Sequence, residues 1–133
     1  MQVGDPVGEY ALQRLLGCGR FGVVFAGTTP AGHTVALKIP RKSSAARELA
    51  EEEVQRAKVC ELDHADCPLV RMLGVENAGQ FRNILVLEHM DGGTLEQKAP
   101  LSWPDTARMY AMVCDGLLWL HARGYLHCDL KPE

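Results

Sequence analysis

The first residues in this 133-residue sequence whose types and spacing could do chemistry are Gly17-Cys18-Gly19-Arg20-Phe21-Gly22. They form a G-x-G-x-x-G, a pattern shared by several unrelated nucleotide sites and weak when taken alone. In a dinucleotide fold the third glycine opens a helix whose N-terminus meets a pyrophosphate. Here Gly22 opens the β-branched run Val23-Val24-Phe25. A strand-loop-strand flap can lay backbone N–H groups over phosphates, because glycine lets the main chain come close without side-chain obstruction. The plainer alternative is a glycine-rich hairpin with no ligand.

Sixteen residues past Gly22 stands Lys38, in Val35-Ala36-Leu37-Lys38, on a strand expected to be central. An ammonium among apolar neighbours is costly unless it meets an anion, a phosphate or a carboxylate. Otherwise it snorkels out from an edge strand. Glu53 can supply a carboxylate, with Glu51 and Glu52 as nearby alternatives that one sequence does not separate. A third group, Cys60, His64 and Cys67, has the spacing C-x3-H-x2-C and offers three zinc ligands, but no second Cys/His pair supplies the fourth that a structural site needs. Small side chains at a helix end and loop are the simpler account, and no residue is assigned as a metal ligand.

The elements that must hold these groups can be read from periodicity. Residues 10–16 are short and apolar, 23–26 are β-branched and aromatic, 29–32 form a turn, and 33–39 alternate, which together predict an antiparallel three-strand meander. From 43 to 62 the period becomes helical, with Ala46, Ala50, Ala57 and Cys60 on one stripe and Glu53 lying on it. Two more strands are expected at 70–76 and 81–88, joined by a turn at Asn77-Ala78-Gly79-Gln80. Thr94 to Gln97 is a T-x-x-Q capping box. Ser102-Trp103-Pro104-Asp105 starts a helix with a serine cap, a first-turn proline and an acid three residues after the cap. That helix is apolar nearly all round, so it belongs inside a larger body, and Gly124 ends it.

Composition bounds the rest. Lys and Arg number 14 against 17 Asp and Glu, a formal charge of −3, with 47% apolar and 23% charged residues. This is ordinary globular composition for one domain or part of a larger one. The mildly acidic balance provides no broad footprint for nucleic acid or an anionic membrane. No apolar run approaches the ~20 residues that span a bilayer, and the start lacks a leader pattern, so a soluble cytoplasmic chain is expected. Five cysteines at irregular spacing are expected as reduced thiols.

The last stretch joins these pieces. Tyr125-Leu126-His127-Cys128-Asp129-Leu130-Lys131-Pro132-Glu133 follows the long helix directly. In order, the sequence holds L-G-x-G-x-F-G-x-V from Leu16 to Val24, V-A-x-K ending at Lys38, a helix Glu, L-x-L-E-H-M-D-G-G from Leu85 to Gly93, and H-x-D-L-K-P-E. This set resembles the eukaryotic-type protein kinase family, Ser/Thr branch, over nearly the whole chain. The resemblance implies an α+β fold: a kinase-like N-lobe of five antiparallel strands with one helix, over 1–90 with the hinge, then an incomplete helical C-lobe over 91–133. It also implies an enzyme that transfers the γ-phosphate of ATP to a protein hydroxyl, with ATP, magnesium and a protein substrate as its partners.

Site roles follow from the same resemblance. Leu16 and Val24 would cover adenine with Ala36 on the same wall, and the amides of Gly17, Cys18, Gly19, Arg20, Phe21 and Gly22 would cradle phosphates. Lys38 would hold the α/β-phosphates, positioned by Glu53. Leu87 matches the gatekeeper, and the backbone from Glu88 to Met90 the hinge. Asp129 would be the catalytic base, Lys131 would stabilise the transferring phosphoryl, and His127 would orient the loop.

The sequence departs from that family in two ways. Cys128 replaces the Arg that many members pair with a phosphorylated activation loop. The 133 residues also stop one residue before the expected magnesium-binding Asn and contain no D-F-G. At about half the length of a complete domain, the chain is expected to be inactive or nearly so, as a truncated product or fragment. The competing readings are a pseudokinase-like module that binds nucleotide or a partner, and a dinucleotide-binding oxidoreductase, which needs a helix after Gly22.

Overall fold

The computed structural model describes residues 1–62 and 67–132, with side chains described up to 58 and from 67. Two compact units are present. The first comprises Met1–Leu62 and Val70–His89, and the second, of its described residues, 67–69 and 90–132.

The first unit is built on one antiparallel sheet. Its strands are β1 (Pro6–Val7), β2 (Tyr10–Cys18), β3 (Gly22–Thr28), β4 (Thr34–Pro40), β5 (Met72–Ala78) and β6 (Phe81–Glu88), in the order β1-β2-β3-β4-β6-β5. The five expected strands are all there. The sheet nevertheless has six, because Pro6 and Val7 pair with Ala11 and Tyr10 as a two-residue edge strand too short to leave a periodic trace in the sequence. Tight turns set the register. In the β3–β4 turn Gly32 adopts φ +84° and donates its N–H to the Thr29 carbonyl at 2.9 Å, while the His33 N–H donates to Thr29 Oγ1 at 3.0 Å.

Alternation along the central strands divides the side chains between two faces. Val35, Leu37 and Ile39 of β4 join Val7, Leu12, Phe25, Ile84 and Val86 in one buried cluster. Leu37 lies so close to β3 that a Cβ on Gly27 would sit 2.5 Å from its Cδ1, so the absence of a side chain at 27 makes room for the core. Ala36 and Lys38, being out of phase with that set, point to the opposite face.

Helix α1 (Ser44–Leu62) packs against β6, β4 and β5. Ser43 stands just outside it, its Oγ accepting the Ala46 N–H at 3.3 Å, which moves the start one residue beyond the expected 43. Among its described side chains Ala46, Ala50 and Val54 are buried. Small residues let the helix approach the sheet closely.

The second unit contains α2 (Leu95–Lys98) and α3 (Trp103–His121). The capping box is complete: the Gln97 N–H donates to Thr94 Oγ1 at 3.3 Å and the Thr94 N–H to Gln97 Oε1 at 3.0 Å. Ser102 caps α3, accepting the Asp105 N–H at 3.3 Å. At its other end Gly124, with φ +78°, donates to His121, and Tyr125 donates to Leu120, both at 3.0 Å. These two bonds satisfy carbonyls left open at the helix end. Gly116 and Leu120 are the buried residues of α3, whereas Trp103, Tyr110, Met112 and Leu118 are exposed. Among the described residues no helix is long and apolar enough to cross a membrane.

Candidate functional site

The glycine motif forms the hairpin between β2 and β3, with the Gly19 N–H donating to the Gly22 carbonyl at 2.9 Å across its tip. Gly22 opens a strand in a wholly antiparallel sheet, which excludes the dinucleotide-binding reading. Its three glycines do different work. A Cβ on Gly22 would meet the Ile39 carbonyl oxygen of β4 at 2.7 Å, so the fold itself requires glycine there. A Cβ on Gly17 would meet nothing within 4 Å, and one on Gly19 only the Gly22 oxygen at 3.9 Å. Neither takes a left-handed φ, so neither packing nor backbone conformation calls for glycine at these two positions. Cys18, Arg20 and Phe21 are exposed around them, with the Arg20 guanidinium 5.3 Å from the centre of the Phe21 ring.

Lys38 stands directly across the sheet from Val24, two residues beyond the hairpin. Its ammonium pairs with the Glu53 carboxylate of α1. Of the three candidate acids, Glu51 and Glu52 are exposed and Glu53 is the one turned inward. The pair is partly exposed: the Lys38 side chain is 35% and that of Glu53 29% exposed. Lys38 is on a central strand flanked by buried Leu37 and Ile39, but strand alternation sends it to the face opposite the apolar cluster, where solvent reaches it.

The adenine-wall candidates share that first unit. Ala36 is buried at 9% exposure, Val24 and Leu87 are half-buried, and Leu16 is exposed at the strand end. Glu88 is tied to the backbone of Arg71, donating its N–H to the Arg71 carbonyl at 3.0 Å and accepting the Arg71 N–H on its carboxylate at 2.7 Å. This fixes the chain at the end of β6. Met90, the first residue of the second unit after β6, is exposed.

Asp129 and Lys131 belong to the second unit, both exposed. The Asp129 N–H donates to His127 Nδ1 at 3.2 Å, across Cys128 in a left-handed conformation at φ +59°. This hydrogen bond ties the imidazole to the backbone of the turn that carries Asp129. The Pro132 carbonyl accepts the Glu96 N–H from α2 at 3.0 Å, anchoring the segment further along.

Sequence reasoning missed Arg41. It follows β4, donates its N–H to the Phe21 carbonyl at 2.8 Å, its Nε to the Gly19 carbonyl at 3.0 Å, and an Nη2 proton to Cys18 Sγ at 3.3 Å. Nothing in its spacing marks it, since the contacts depend on how far β4 runs alongside β3. Of the zinc candidates, His64 lies outside the described residues and Cys60 lies in α1 with its side chain outside the described ones. Among the described residues no group of three or more His, Cys, Asp or Glu could hold a metal ion. The described cysteines Cys18, Cys67, Cys114 and Cys128 are free thiols.

The first unit thus combines an antiparallel sheet and its glycine hairpin with a strand lysine paired to a helix glutamate. A family model for the protein kinase domain matches residues 10–133, and the chain belongs to the protein kinase family. Among individual proteins, it is 32% identical over 133 residues to CBL-interacting serine/threonine-protein kinase 8 of Arabidopsis thaliana, covering 96% of this chain and 29% of that protein. It is 34% identical over 142 residues to serine/threonine-protein kinase Pkn1 of Myxococcus xanthus, covering 98% of this chain and 19% of that one. The chain thus spans under a third of the length of these relatives.

Proposed function

We propose that this chain carries the ATP-binding part and the start of the catalytic loop of a serine/threonine protein kinase, which transfers the γ-phosphate of ATP to a protein hydroxyl. The observation that carries this reading is the Lys38–Glu53 pair one strand away from the glycine hairpin. A half-exposed ion pair is worth little to stability, roughly 0.2–1 kcal/mol. Its value lies in holding an ammonium where an incoming phosphate can share it.

The hairpin supports the same reading. Glycines at 17 and 19 that the fold does not need leave the main chain bare on the side facing open space, which suits amides meant to cradle phosphate. Leu16, Val24 and Ala36 serve as the adenine wall, with Leu87 as gatekeeper and the backbone of Glu88 and Met90 as the hinge. Glu53 orients Lys38. In the second unit Asp129 accepts the proton of the substrate hydroxyl, Lys131 steadies charge on the phosphoryl group, and the His127 bond to the Asp129 amide keeps the turn in shape.

Magnesium is the family's usual cofactor and neutralises phosphate charge when bound. Among the described residues no group of three or more His, Cys, Asp or Glu could hold it, and no step here is assigned to the metal. A soluble, cytoplasmic setting suits its free thiols.

Titration with a fluorescent ATP analogue, with and without magnesium, tests the reading. Saturable binding that Lys38→Met weakens at least tenfold is expected. Binding unaffected by Lys38→Met would remove the ion pair from the site and with it the proposal.

A further inference from the structure

Arg41 is the least explained charged residue of the first unit. It is exposed, and among the described residues no carboxylate pairs with it. Its hydrogen bonds all go to the glycine hairpin: backbone N–H to Phe21, Nε to Gly19, Nη2 to Cys18. A long, entropically costly side chain is thus committed to a loop that buries nothing against it.

Peptide geometry indicates what these bonds accomplish. In a trans peptide the carbonyl and the N–H point in opposite directions. Fixing the Gly19 carbonyl toward Arg41 therefore aims the Arg20 N–H away from it. A glycine-flanked peptide has little of its own to hold that orientation, because Gly19 lacks the Cβ that restricts neighbouring torsions. The Gly19 N–H, by contrast, is already used by the Gly22 carbonyl. The amide of Arg20 is then a donor whose direction depends on a side chain three residues past Lys38.

We propose that Arg41 is a positioning residue for the triphosphate: it locks the Gly19–Arg20 peptide so that the Arg20 N–H is presented to phosphate. This rests on the ATP-binding reading above. Arg41 does not touch the nucleotide; it acts through the loop. The guanidinium fork is suited to this, with one nitrogen on an oxygen and another on a sulfur at a fixed separation.

The test compares ATP with adenosine, each displacing a fluorescent ATP analogue from the 133-residue chain and from its Arg41→Ala, Arg41→Lys and Lys38→Met variants. Arg41→Ala is expected to weaken ATP about tenfold, the effect of losing one charge-assisted hydrogen bond, while adenosine affinity stays within twofold. Arg41→Lys, keeping one donor for the Gly19 carbonyl, recovers part of the loss. Hydrogen exchange at the Gly19 amide, which is bonded to the Gly22 carbonyl, should quicken in Arg41→Ala when measured without nucleotide. Equal weakening of ATP and adenosine would mean that Arg41 merely supports the hairpin, and the proposal fails. Unchanged ATP affinity in Arg41→Ala, with Lys38→Met still impaired, overturns this role and leaves the ATP-binding reading intact. If the unsubstituted chain binds neither compound, that reading falls and the positioning role with it.

Discussion

Substituting the three glycines of the hairpin one at a time separates what the fold needs from what a ligand needs. Replacing glycine by alanine where the native backbone permits it stabilises a protein by about 0.4–1 kcal/mol, because the unfolded chain has less freedom to lose. At Gly17 and Gly19 nothing opposes that gain: the added Cβ meets open space, and φ lies outside the left-handed region. At Gly22 the added carbon would sit 2.7 Å from the Ile39 oxygen, 3.4 Å from its carbonyl carbon and 3.5 Å from Pro40 Cα, all backbone atoms that no rotamer change can move. The end of the β3–β4 ladder must shift, at the ~1–3 kcal/mol typical of overpacking. A net loss of about 1–2 kcal/mol corresponds to a Tm lower by roughly 4–15 °C in a domain near this size. Thermal unfolding followed by circular dichroism, alongside ATP-analogue titration, should show Gly22→Ala melting early. Gly17→Ala and Gly19→Ala should melt no earlier than the parent chain yet bind ATP more weakly. A Gly22→Ala protein as stable as the parent, or an equal loss of stability in all three, would refute the division of labour drawn from the geometry.

Other perturbations test the remaining parts. Glu53→Gln should weaken the ATP analogue several-fold while Glu52→Gln leaves it unchanged, and both should melt within a few degrees of the parent because a partly exposed pair stabilises by about 1 kcal/mol or less. Leu37→Ala, at a side chain with 0% exposure, should cost about 2–5 kcal/mol by denaturant titration; a loss under 1 kcal/mol would contradict its place in the core. Ser102→Ala removes the acceptor of the Asp105 N–H and should lower stability by about 0.5–2 kcal/mol, visible as lost helicity on heating. In a longer chain that includes the D-F-G segment, Lys38→Met should abolish phosphoryl transfer; activity retained within a few-fold defeats its role.

Much of this chain is legible locally, because local physics decides it. Period-two alternation set apart β4, the T-x-x-Q and Ser-Trp-Pro-Asp signatures marked the starts of α2 and α3, and Gly124 marked the end of α3. Each of these rests on hydrogen bonds between residues a few positions apart. The six-residue glycine motif, followed at once by a β-branched strand, likewise told a hairpin from a helix-opening turn.

Tertiary structure decided what depends on distant neighbours. Three consecutive glutamates look alike in sequence, and only the rotation of α1 on the sheet turns Glu53 toward Lys38 and leaves Glu51 and Glu52 in solvent. The two-residue β1 exists because β2 is there to pair with it, which no periodicity in Pro6–Val7 announces. Lys38 is half-exposed because alternation places it across the sheet from the apolar cluster. Arg41 became visible only when β4 brought it alongside the hairpin, since a hydrogen bond between residues 22 positions apart is made by the folded chain and has no local trace.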